Sequence, residues 1–203
     1  MNSSCKYKTI RDSSKGIYRE KGSKFMAFAC HVSDEAEIKS IIAQIKKEYF
    51  DARHHCYAYR LGAAGEIFRA NDGGEPSGTA GRPVYGQILS FDITNVLIVV
   101  VRYFGGIKLG TSGLINAYKT AAADAIKNSI IIEKTEQQVI EFRFCYSAMN
   151  DIMKLVKDEK IEIIEQLAEL DCCMKVKIDK NKITPILEKL SKIESVVIQN
   201  QFH

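Results

Sequence analysis

A chain of 203 residues, 46% apolar and 27% charged, can bury one large core or two smaller ones, which excludes a disordered or fibrous protein. Its net charge of +4 is uneven, because residues 1–133 carry 18 Lys and Arg against 13 Asp and Glu, whereas residues 134–203 carry 11 against 12. The basic excess on the first part permits an acidic partner such as RNA and is equally compatible with a neutral ligand.

In chain order, KFMAFACHV (24–32) alternates as a strand, with Phe25, Ala27 and Ala29 on one side. Ser33 is the expected N-cap of the helix DEAEIKSIIAQIKKEY. Ala36 denies it a capping box, while Asp34, Glu35 and Glu37 suit the positive end of the helix dipole. Ile38, Ile41, Ile42 and Ile45 form the buried stripe of that helix. HHCYAYRLG and GEIFRAND read as two strands joined near Gly62–Gly65 into a hairpin. The glycine-rich stretch NDGGEPSGTAGRP (71–83) follows, then a helix over RPVYGQILSF with Pro83 in its first turn. VLIVVV (96–101) reads as a buried strand, and a helix from about Ser112 to Ala125 closes the unit.

All thirteen glycines lie at or before Gly113, so composition changes sharply there. A linker is expected within IIEKTEQQ (131–138), which divides the chain into domains at 1–133 and 134–203. The second part reads strand, helix, strand, strand, helix, strand over VIEFRFCYS, MNDIMKLVKDE, IEIIEQLAEL, CCMKVKID, ITPILEKLSKI and SVVIQNQF. That βαββαβ order predicts a ferredoxin-like plait and an α+β protein. RNA-recognition motifs share this topology, but CMKVKI lacks their stacked aromatics, which favours a docking or assembly role for the plait.

Glycines cluster where φ must be positive or where something approaches too closely for a Cβ. The second cluster, YFGGIKLGTSG (103–113), lies between a buried strand and a helix, where backbone N–H groups can hold an anion. It is neither a Walker A loop nor a G-x-G-x-x-G turn. Arg82, Arg102 and Lys108 are candidate phosphate contacts, with Gly78, Gly81, Gly105, Gly106 and Gly110 giving close approach and Thr111 or Ser112 capping the helix. A tight crossover with solvated basic residues explains the same pattern. Asp72 and Glu75 are candidate acid, base or metal-positioning groups together with His54 and His55, although carboxylates in turns commonly cap backbone groups. His54 and Cys56 share one strand face, yet no four-ligand metal set is visible, and neither a metal nor a cofactor is expected.

No aliphatic run approaches the roughly 20 residues of a membrane span, and MNSSCKYKTIRDSSKG has no apolar signal region. A cytoplasmic protein without membrane contact is expected. Cysteines at 5, 30, 56, 145, 172 and 173 include no C-x-x-C pair, so reduced thiols are expected, with Cys30 and Cys56 acting as small hydrophobes.

NDGGEPSGTAGRPV followed by NVLIVVVRYFGGIKLGTSGLINAYKTAA closely resembles the IMPACT family, bacterial YigZ type. Tyr85 departs from the aliphatic residue expected there. The resemblance implies a first domain like the second domain of a small-subunit ribosomal protein and a second domain like a C-terminal plait of elongation factor G. It carries no established catalytic residues. The resemblance implies that eukaryotic relatives act in translational control through a protein partner and an additional N-terminal domain, which is not expected in this chain. The expected function is therefore a non-enzymatic, RNA- or ribosome-associated modulator of translation, with a protein of the translation machinery as a further expected partner. The alternatives are a hydrolase of a small phosphorylated or peptidic substrate at the Asp72/Glu75 loop and a protein-docking module.

Overall fold

The computed structural model of the chain describes residues 6–167 and 171–202, which leaves Cys5 and the last three residues of the strand expected over 161–170 outside the described residues. The chain divides between Lys134 and Thr135 into two compact units.

In the first unit the elements run β1 (Lys6–Ile10), β2 (Ser14–Glu20), β3 (Ser23–His31), α1 (Glu35–Glu48), β4 (His54–Leu61), β5 (Ile67–Asn71), α2 (Gly81–Ser90), β6 (Val96–Tyr103), α3 (Gly110–Lys127) and β7 (Ile131–Thr135). Five strands form an antiparallel sheet in the order β2-β3-β6-β4-β5, while β1 pairs with β7. The central strand, β6, is covered on both faces. Val96, Ile98 and Val100 join Ile88 of α2 and Leu114 and Tyr118 of α3, whereas Leu97, Val99 and Val101 join Ile38 and Ile45 of α1. Burial on both sides explains why its sequence is an unbroken aliphatic run rather than an alternation.

Three local features differ from the sequence reading. The N-cap of α1 is Asp34 rather than Ser33: Asp34 accepts from the Glu37 N–H at 2.8 Å, and the Glu37 carboxylate accepts from the Ser33 N–H at 2.8 Å. Moving the cap one residue thus places Glu37 at the third helical position, where its carboxylate reaches back to the residue before the cap rather than to the cap's own N–H. Helix α3 begins at Gly110 with Leu109 at the cap position, so neither the Thr111 nor the Ser112 hydroxyl caps it. The expected linker is almost entirely strand, because β7 ends at Thr135 and β8 (Gln137–Cys145) begins two residues later, with only Glu136 between them.

The second unit continues with α4 (Met149–Glu159), β9 (Glu162–Leu167), β10 (Asp171–Asp179), α5 (Ile183–Leu190) and β11 (Val197–Phe202). Its antiparallel sheet has the order β11-β8-β10-β9, the ferredoxin-like arrangement expected from the βαββαβ pattern, and the protein is of the α+β class. Ile140, Phe142, Phe144, Met174 and Val176 pack against Ile152, Val156, Ile186 and Leu190. The alternate positions of β8 and β10 carry Glu141, Arg143, Lys175 and Lys177 and no aromatic residue, so these central strands offer no base-stacking platform. Among the described residues, no helix is long and apolar enough to cross a membrane.

Candidate functional site

The glycine loop between β5 and α2 is folded around one carboxylate. Asp72 accepts hydrogen bonds from the backbone N–H groups of Gly78, Ala80 and Gly81 at 2.9, 3.0 and 2.8 Å. Ala80, at the cap position of α2, has no side chain able to do this, so a residue eight positions upstream caps the helix. Burial pushes the Asp72 carboxyl upward, but those three N–H donors and the nearby Arg82 charge outweigh it and hold the group below its ordinary range. Asp72 is thereby committed to the loop.

With the loop fixed, Glu75 points inward. Its side chain is only 3% exposed, and Oε1 lies 2.6 Å from a terminal nitrogen of Arg102, whose side chain is 6% exposed. Tyr118 of α3 donates its hydroxyl to the same oxygen at 2.8 Å. Beneath them the Cys56 thiol stands 2.9 Å from the Asp72 carbonyl and 3.3 Å from the Tyr118 hydroxyl, two acceptors for its single proton. Burial pushes that thiol up to about 12 and the Tyr118 phenol far above its usual range, so neither is an ionised nucleophile near neutral pH.

Strand register explains the gathering. Arg102 stands opposite Phe25 on β3 and His54 on β4, and its guanidinium lies over the Phe25 ring at 5.3 Å and the Phe104 ring at 5.7 Å. His54 Nδ1 is 3.0 Å from the Gly73 carbonyl, which can only accept, so Nδ1 carries the hydrogen. This orientation leaves Nε2 facing Glu75 Oε1 at 3.9 Å. Arg102 is therefore not the solvated cation that the sequence suggested. Its charge meets a buried carboxylate, while its Nε–H has no hydrogen-bond partner among the described residues.

Above this pair opens a cleft of about 470 Å³, lined from β4 and the residue before it by His54 and Arg53, from the first glycine loop by Glu75 and Pro76, and from β6 and the second loop by Arg102, Phe104, Lys108 and Leu109. Gly110, Thr111 and Leu114 of α3 complete it. Six of the sequence candidates thus converge: Arg102, Lys108, Gly110, Thr111, His54 and Glu75. The others do not line it. Arg82 and Ser112 are exposed elsewhere, and His55 faces away from His54, with its Nε2 3.0 Å from the Tyr49 carbonyl.

The five candidate glycines divide into two kinds. A Cβ on Gly81 would stand 2.6 Å from the Asn71 nitrogen, and one on Gly105 1.9 Å from the Gly22 carbonyl carbon. There the close neighbour is the protein's own backbone rather than a ligand. Gly78, Gly106 and Gly110 have positive φ and no such crowding. Tyr118 escaped the sequence reading, although a hydroxyl within the stripe Leu114, Ala117, Tyr118 and Ala121 signals a buried hydrogen-bond partner. Among the described residues, no group of three or more His, Cys, Asp or Glu side chains is placed to hold a metal ion.

A five-stranded sheet ending in paired glycine loops, followed by a ferredoxin-like plait, defines a two-domain α+β architecture. The family described as the Impact N-terminal domain matches residues 21–126, and the chain belongs to the IMPACT family. It is 32% identical over 159 residues to the IMPACT family member YvyE of Bacillus subtilis, covering 78% of this chain and 73% of that one. It is 30% identical over 173 residues to the family member YigZ of Escherichia coli, covering 84% and 85%. A crystal structure described as a hypothetical protein superposes with a TM-score of 0.75 at 27% identity, covering 95% of this chain and 96% of the other.

Proposed function

We propose that this chain is a cytoplasmic, RNA- or ribosome-associated protein that modulates translation without catalysing a reaction, and that the cleft between the glycine loops is its RNA contact. Membership of the IMPACT family supports the translational part of this reading. The observation that carries the RNA part is the cleft wall, where exposed Arg53 and Lys108 meet the first turn of α3. Neither cation has an ion-pair partner among the described residues, and both remain free to neutralise phosphate. Arg102 organises the wall through Glu75, and Arg82 is left as an outlying contact.

Binding of a single-stranded and a structured RNA across a salt series tests the reading. Wild type is expected to weaken steeply with salt, and Arg53→Ala/Lys108→Ala is expected to lower the logarithmic slope by about 0.7 for each single-strand phosphate that the variant no longer neutralises. Salt-independent affinity, or an unchanged slope in the double variant, would count against it. A hydrolase is the second reading, favoured by the His54 Nε2 that faces Glu75 within a cleft. Turnover of a phosphoester lost in His54→Gln would support that reading in place of the first.

A further inference from the structure

We infer that the cleft receives one unpaired nucleotide, its base against Phe104 and its phosphate among Lys108, Arg53 and the first turn of α3. The inference rests on the RNA reading above and specifies the form of RNA.

Phe104 follows the buried strand β6 yet is itself 48% exposed as a residue and lines the cleft wall. Arg102 lies over its ring and is itself held by Glu75 and Phe25, so the aromatic surface is braced from beneath. Pro76, Leu109 and Leu114 supply further apolar wall. The polar half differs in character. Lys108 and Arg53 are exposed cations, and α3 is an 18-residue helix that starts without a side-chain cap and without an acidic residue in its first turn. Arg102, 5% exposed as a residue, lines the same cleft, while its Nε–H is sealed from solvent and has no hydrogen-bond partner among the described residues.

An aromatic face beside unpaired cations matches a nucleotide, which presents a π-face and a phosphate together. The volume of about 470 Å³ falls within the range of small-ligand sites. A duplex keeps its bases stacked inside and shows the protein only backbone and groove edges, which leaves Phe104 without a base to meet.

The test is a cycle on the full chain. Wild type, Phe104→Ala and Phe104→Tyr are titrated with an octa-adenylate, an abasic octamer of equal charge, a hairpin with the same number of phosphates, and adenosine 5′-monophosphate. Phe104→Ala is expected to weaken the octa-adenylate roughly 5- to 150-fold, the range for one base stacked on an aromatic side chain, and to leave the abasic strand unchanged. Phe104→Tyr retains affinity. Circular dichroism melts check that the exposed substitution leaves the fold intact. Equal losses on the adenylate and abasic strands, or none on either, would overturn base stacking while leaving the RNA reading in place. Monophosphate bound as tightly as the strand, and equally sensitive to Phe104→Ala, would uphold a nucleotide site and overturn the RNA reading. Wild type that binds none of the four overturns both.

Discussion

At the scale of single residues, the Glu75–Arg102 pair sets the strongest expectation. Removing one partner of a buried pair leaves the other charge uncompensated, so Glu75→Ala should lower stability by about 3–5 kcal/mol in urea unfolding. Replacing both with apolar residues, as in Glu75→Met/Arg102→Leu, should recover much of that loss. An unperturbed Glu75→Ala midpoint would mean that the pair holds nothing together. His31 offers a test of pH. Lys134 Nζ donates to its Nε2 at 3.2 Å, and burial together with that neighbouring charge holds the imidazole below its ordinary value of 6.5. The neutral form is favoured in the folded state. Its contribution to stability is therefore complete above pH 6.5 and is lost as pH falls toward and through the lowered folded value. Melting temperatures of His31→Gln should vary less with pH than those of wild type across that window. Arg102 shows what the sequence held at this scale: it continues the parity of Val96, Ile98 and Val100, a buried face on which a charge demands a partner. The identity of that partner depends on a loop that folds around Asp72, a long-range event with no periodic signature.

At the scale of elements, the two kinds of glycine predict different costs. Gly106→Ala meets open space and pays only for its φ of +87°, about 1 kcal/mol. Gly81→Ala drives a Cβ into the backbone of β5, which cannot rotate away, and should cost about 3 kcal/mol. Equal melting temperatures for the two variants would contradict this division. Asp72→Ala should cost about 1–2 kcal/mol as a lost helix cap. Because the carboxyl is held below its ordinary value of 3.8, the Asp72 contribution is present above that pH and disappears as pH falls through the folded value, so wild type and variant should converge in strong acid. Periodicity made β6, α1 and the plait legible. It missed β1 and β2 because KYKTI and SKGIYRE interrupt their apolar positions with charges, and β2 lies at the sheet edge where half-exposure blurs alternation. It read β7 as linker for the same reason: IIEKT looks like a charged connection until β1 pairs with it.

At the scale of the whole molecule, each buried apolar cluster among the described residues draws its members from one unit alone. A fragment of residues 1–134 should therefore fold cooperatively and keep the near-ultraviolet circular dichroism of its packed tyrosines. A fragment that behaves as an unfolded chain would show that the first core needs the plait. The division also suits the proposed labour, since the cleft belongs to the first unit and the mixed charges of β8 and β10 lie on the second.

The thiol beneath the cleft gives the protein a built-in clock. Cys145 is exposed and meets an alkylating reagent at once, whereas Cys56 is buried and held protonated, so it reacts only through excursions that part β4 from α3. Its labelling rate measures how often the floor of the site breathes. A ligand that braces Glu75, Arg102 and Tyr118 from above would slow that clock, so occupancy of the cleft can be timed by a sulfur atom that the ligand never touches.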